Sequence, residues 1–139
     1  MSFRRIRDVR PARAGETRSW FQDDYFDLFV IQAQTGRIRW FQLCYRRDSW
    51  QELVLEWRRG AGFMHLKTTG GADPARKDAG GLVPDGALPY GEVVEKFDRS
   101  AATLPADMAA FIRVKVGEFA RPRLLLCPFT QRRICVVIL

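Results

Sequence analysis

YFDLFVIQAQTGRIRWFQLCYR, residues 25–46, decides the fold. Phe26, Leu28 and Val30 alternate with Tyr25, Asp27, Phe29 and Ile31, the period of two that sets side chains on opposite faces of a strand. Ala33-Gln34-Thr35-Gly36-Arg37 then reads as a hairpin loop, with Gly36 supplying the positive φ such a loop demands. Ile38 to Arg46 returns as a second alternating strand. Two aromatic-rich strands joined by a short loop predict antiparallel pairing.

Working outward, Ser19 to Gln32 forms one long aromatic and branched run broken at Asp23-Asp24. Beyond Arg46, Arg47-Asp48-Ser49 is a turn, Trp50 to Arg58 a third strand, Arg59-Gly60-Ala61-Gly62 a turn, and Phe63 to Thr68 a fourth strand. Residues 70–88 hold five glycines and two prolines and read as a flexible loop. No G-x-x-x-x-G-K-[ST] is present, so these glycines form no phosphate loop. From Pro89 the period changes. Val93, Val94, Phe97 and Ala101 share one side of a short helix, supported by Glu92/Lys96 and Glu95/Arg99 pairs. A second helix begins near Thr103-Leu104-Pro105, with Asp107 at its positive end and Met108, Phe111, Ile112 and Phe119 as its apolar stripe. The expectation is an α+β fold: an antiparallel four- to five-stranded meander sheet with two C-terminal helices packed on one face. Residues 18–120 form the single domain, 1–17 a basic N-terminal arm, and 121–139 an apolar and basic C-terminal tail. Ile134 to Leu139 is uncharged and branched, and is expected to be buried as an added strand or at a homo-oligomer interface.

With 139 residues, 47% of them hydrophobic, the chain suffices for one packed core. No run reaches the roughly 18 apolar residues of a membrane span, and MSFRRIRDVR is followed by no apolar signal segment. Three cysteines, Cys44, Cys127 and Cys135, have no close pair, which points to reduced thiols in a cytoplasmic protein. The net charge of +7 is uneven. Residues 1–20 carry six arginines against two acids, and 121–139 carry four arginines and no acid. Residues 21–120 hold 13 basic and 14 acidic groups, so the body averages near neutral. Nucleic-acid contact through Arg4, Arg5, Arg7 and Arg10 is therefore an alternative carried by the ends of the chain. A basic stripe on the domain itself is not evident.

The period of two also sorts the strands into faces. Phe26, Leu28, Val30, Phe41, Leu43, Tyr45, Leu53, Leu55, Trp57, Met64 and Leu66 are expected beneath the helices. The opposite face then presents Asp27, Trp40, Gln42, Cys44, Glu52, Glu56, Arg58 and His65, with Tyr25 and Phe63 among them. A single bulge would move a strand's contribution to the other side. Asp27, Trp40, Gln42, Arg58 and His65 are the candidate ligand-binding residues. The plain alternative is an ordinary half-solvated sheet face. Catalysis would fall to Asp27, Glu56 and His65, with a divalent metal or with His65 as base oriented by a carboxylate. Asp27 with Glu56-x-Arg58 resembles the acidic-plus-basic spacing of metal-dependent nucleases, but arginine cannot give up a proton as lysine can. His65 is the only histidine, which excludes a His-rich metal site. No G-x-S-x-G elbow occurs, and Cys44 inside FQLCY reads as a small core residue.

Trp20-Phe21-x-Asp23-Asp24-Tyr25-Phe26-Asp27-Leu28 with Phe41-Gln42-Leu43-Cys44-Tyr45, Trp57-Arg58 and Gly62-Phe63-x-His65 resembles a family of small uncharacterised bacterial proteins with no known activity. The resemblance spans about residues 4–120. It implies a bacterial cytosolic origin and adds weight to Asp24, Asp27, Gln42 and His65. Residues 121–139 have no counterpart in it. The preferred expectation is a non-enzymatic binding or interaction module using the polar sheet face. It needs no cofactor and no metal, and its partner is a protein or a small polar ligand. Nucleic-acid contact and metal-dependent hydrolysis are the alternatives.

Overall fold

The structure is a computed structural model describing residues 2–7, 13–46, 52–68, 82–84, 87–121, 124–126 and 134–136. Seven strands run in sequence order through one antiparallel sheet: β1 (Arg4–Ile6), β2 (Glu16–Gln22), β3 (Phe26–Ala33), β4 (Ile38–Tyr45), β5 (Leu53–Arg58), β6 (Gly62–Thr68) and β7 (Leu82–Pro84). Two helices follow, α1 (Tyr90–Ser100) and α2 (Ala106–Ala120), joined by a 3-10 turn at Ala101–Thr103. The fold is thus the expected α+β meander, with more strands than the sequence suggested. The two extra strands, β1 and β7, are only three residues long, too short for an alternating pattern to register.

Register creates the core. Leu28 faces Leu43, which faces Leu55, and Val30 faces Phe41, which faces Trp57. Leu28, Leu43, Leu55, Val30 and Phe41 are all completely buried. Each such leucine or phenylalanine contributes about 2–3 kcal/mol by leaving water. From the helices, Val93, Phe97, Met108, Ile112 and Val116 close over this floor. The expected stripe of α2 is only partly the buried one: Met108 and Ile112 lie inside with Val116, while Phe111 and Phe119 sit at its margin. Glu95 and Arg99 pair as expected at 2.6 Å, whereas Glu92 turns toward Arg46 instead of Lys96.

The described part of the N-terminal segment belongs to the domain. Phe3 is buried against Phe26 and Phe97, and its backbone is tied to the end of α1 through Ser100 and Thr103. The remainder of the proposed arm, Met1 and residues 8–12, lies outside the described residues, as does most of the 70–88 loop. In the C-terminal tail, β8 (Leu124–Leu126) pairs with β9 (Ile134–Val136) in a separate two-stranded ribbon. Ile134–Val136 is therefore not an added strand of the main sheet. Among the described residues, no helix is long and apolar enough to cross a membrane.

Asp23 joins the two layers. It is buried at the β2–β3 turn, where its carboxylate accepts hydrogen bonds from the Tyr25 and Phe26 amides at 2.8 and 2.5 Å. Its other oxygen accepts from the Ser100 hydroxyl at the end of α1. A buried carboxylate needs such donors to offset its lost hydration. Asp23→Ala would leave three donors without their acceptor and should cost about 3 kcal/mol in urea unfolding. The exposed neighbour variant Asp24→Ala should cost under about 0.5 kcal/mol. Equal losses at the two positions would contradict this role for Asp23.

Candidate functional site

From Trp40 onward, even-numbered positions of β4 and β5 point away from the helices. Trp40 stands beside Arg58 and Gln42 beside Glu56, and across β3 Ile31 meets Trp40 while Asp27 meets Cys44. Asp27, Trp40, Gln42, Glu56 and Arg58 therefore share the outer face, as the alternation predicts. Two tryptophans anchor the carboxylates. The Trp20 indole donates to Asp27 at 2.9 Å, joined by the Gln22 amide at 2.8 Å. The Trp40 indole donates to Glu56 at 2.8 Å, and Arg58 lies 3.5 Å from the same oxygen.

His65 is not among them, which corrects the sequence grouping. Arg58 pairs with Gly62, so only Arg59-Gly60-Ala61 form the turn, and Glu56 faces Met64 while Leu55 faces His65. The expected turn was one residue longer. A one-residue difference exchanges every side chain of the following strand between faces. His65 and Phe63 consequently face the helices, and Met64 is 54% exposed. His65 is buried within 2.6 Å of the Tyr45 hydroxyl, and its ring packs against Phe119. Leu66 joins Cys44, Val54 and Phe29 in a small second cluster on the outer face.

Tyr25 is also displaced from the expected set. Its ring is buried against Phe26 and Tyr45, and its hydroxyl donates to Glu92 of α1 at 2.8 Å. Cys44 is buried as expected. Burial, then the Glu52 and Asp27 carboxylates, push its thiol well above the ordinary range and keep it protonated. Among the described residues, no group of three His, Cys, Asp or Glu side chains could hold a metal ion. Asp27, Glu56 and His65 thus do not converge.

A concavity lies at one end of the outer face, where β2 begins and the β3–β4 and β5–β6 hairpins turn. It measures about 880 Å³ and is lined by Arg13, Arg18, Arg37, Arg39, Arg58 and Arg59, with Glu16 as its one carboxylate. Ile31, Ala33 and Trp40 supply the apolar part of the wall. Local backbone geometry builds it. Gln32 pairs with Ile38 but Ile31 with Trp40, so Arg39 is an extra residue in a β-bulge. The bulge keeps Ile38 in the core and turns Arg39 and Trp40, adjacent in sequence, into the same basin. Gly36, at φ 87, closes the β3–β4 loop as expected.

Three of the arginines are held. Arg39 pairs with Glu16 at 3.0 Å, Arg58 approaches Glu56, and Arg59 donates twice to the Ile38 carbonyl at 3.1 and 2.8 Å. Arg13, Arg18 and Arg37 have no carboxylate partner among the described residues. Of the sequence candidates, only Trp40 and Arg58 line this basin; Asp27, Gln42 and His65 do not. Arg4, Arg5 and Arg7 are exposed on or beside the edge strand β1. Arg4 faces Gln22, four residues from Arg18 along β2, or about 13 Å away. Arg10 lies outside the described residues. No protein-family model, curated protein or solved structure matches the chain.

The opposite end of the sheet carries a charge cluster of another kind. Arg46, the only described non-glycine residue with positive φ (57°), ends β4 and turns its guanidinium to within 2.9 Å of Glu92. Hydrogen bonding from Arg46, and then from Tyr25, holds the Glu92 carboxyl below its ordinary range against the opposing effect of burial. A depressed carboxylate pKa stabilises the fold above the unfolded value of about 4.3 and ceases to do so as pH falls through the folded value. Both partners are partly solvated, so the effect at neutral pH should be under about 1 kcal/mol. Wild type should therefore exceed Glu92→Gln in stability at pH 6, with the gap closing as pH falls from about 5 to 3. Urea midpoints measured across that range check it, and a gap that widens toward acid would contradict it.

Proposed function

We propose that the protein is a non-enzymatic binding module whose outer sheet face receives a small anionic ligand at the arginine-lined basin. One observation carries the reading: six arginines line about 880 Å³ of space with a single acidic residue among them. Such a concentration of positive charge in a concave, partly apolar wall raises the local concentration of anions. Guanidinium groups match carboxylate and phosphate oxygens in bidentate fashion. The volume falls in the range of small-molecule sites. Against catalysis stand the separation of His65 from Asp27 and Glu56, and the engagement of both carboxylates by tryptophan N–H groups.

A second reading, contact with nucleic-acid phosphates through the N-terminal arginines, is favoured by the exposure of Arg4, Arg5 and Arg7. Charge reversal separates the two. Inorganic triphosphate at about a hundred times its dissociation constant should stabilise the protein by about 2.7 kcal/mol. Sodium chloride at matched ionic strength should not. Arg18→Glu with Arg37→Glu should abolish the stabilisation, while Arg4→Glu with Arg5→Glu should leave it intact. Calorimetric melting reads all four conditions. Triphosphate protection that survives the basin double variant and vanishes in the β1 double variant would replace the first reading with the second.

A further inference from the structure

We infer that the basin's ligand is a free nucleotide, its phosphates on the arginines and its base laid on the ring of Trp40; this rests on the anion-binding reading above. The basin is more than a charge trap, because one wall is a tryptophan held in place and half-buried. Trp20 stacks on Phe29, and Trp57 lies between Phe41, Phe111, Arg59 and Lys115. Trp40 is the one described tryptophan that meets neither an aromatic ring nor a cation. Its indole is nonetheless fixed, since Nε1 donates to Glu56 at 2.8 Å. A partly exposed, immobilised aromatic face loses little conformational freedom when a flat ring stacks upon it. Nucleobases offer such a ring joined to phosphate, and Arg18, without a carboxylate partner among the described residues, shares the cross-strand row of Ile31, Trp40 and Arg58.

A free nucleotide fits better than a single strand of nucleic acid. Binding a strand requires a positive groove that follows the backbone over several nucleotides. Past Trp40 the outer face carries Glu56, then Asp27 beside Cys44, and Glu52 close enough to act on the same thiol, with Arg4 on the edge strand in the row of Gln22 and Asp27. A continuing phosphate chain would meet carboxylates there.

Titration calorimetry at low salt on the full chain tests this with adenosine triphosphate, inorganic triphosphate and a twelve-residue oligothymidylate. The nucleotide should bind about tenfold more tightly than triphosphate, the order that stacking one base supplies. Trp40→Ala should bring the nucleotide down to the affinity that the same variant shows for triphosphate. Trp40→Phe should retain part of the difference, with circular dichroism confirming that both variants fold. Equal affinity of the two ligands for wild type would overturn the nucleotide inference and leave the anion site standing. Absence of binding by either would overturn both. Tighter binding of the oligonucleotide than of the nucleotide would replace the free ligand with a strand.

Discussion

The hydrogen-bonded register of the meander is the constraint on which both faces depend. An antiparallel ladder passes side-chain parity from strand to strand, so the residue count of each hairpin settles what the next strand buries. Leu28, Leu43, Leu55 and His65 fall in one such row, and Val30, Phe41, Trp57 and Phe63 in the adjacent one. These rows are the floor on which α1 and α2 rest. The opposite parity gathers Asp27, Trp40, Gln42, Glu56 and Arg58 where no helix covers them. Closing the core and opening the polar face are one event, and neither could be altered without the other.

Where parity breaks, the basin appears. The bulge at Arg39 and the tight turn after Arg58 each bring two consecutive residues to the basin wall: Arg39 with Trp40, and Arg58 with Arg59, whose guanidinium lies over Trp57. Regular strands cannot do this, because neighbours alternate. Ladder bonds also run out at hairpin ends, which frees loop residues such as Arg37 to join the wall. The sheet supplies rigidity, and its irregular end supplies a concentration of like charge that no single strand could present.

Those same features explain what the sequence did and did not reveal. Strands β3 to β5 were legible because Phe26 to Val30, Ile38 to Tyr45 and Leu53 to Trp57 alternate cleanly around recognisable turns. The face of β6 was not, since Met64-His65-Leu66 is nearly as plausible in either phase and the choice rested on one residue of turn length. The bulge at Arg39 leaves no mark on composition. The basin was hidden by averaging, because residues 21–120 sum to near neutrality while four of its arginines lie within them and two come from the segment before. Asp23 and Ser100, 77 residues apart, meet only through the packing of α1 on the sheet. No local pattern could have joined them.

Six arginines around one basin repel one another, and the way the chain limits that repulsion shows how the basin is organised. Full neutralisation would make the cluster an ion-pair network with little left for a ligand. No neutralisation would burden the fold. The chain divides the set. Glu16, Glu56 and the Ile38 carbonyl hold Arg39, Arg58 and Arg59, while Arg13, Arg18 and Arg37 keep their charge uncompensated among the described residues. Glu56 has the central part in this division. Its single Oε1 accepts the Trp40 indole and lies near Arg58, so one carboxylate fixes both the aromatic wall and a cationic one. By position Glu56 resembled a catalytic acid; in the structure its Oε1 is taken up by the Trp40 indole and the neighbouring Arg58, contacts that would preorganise two walls of the proposed basin.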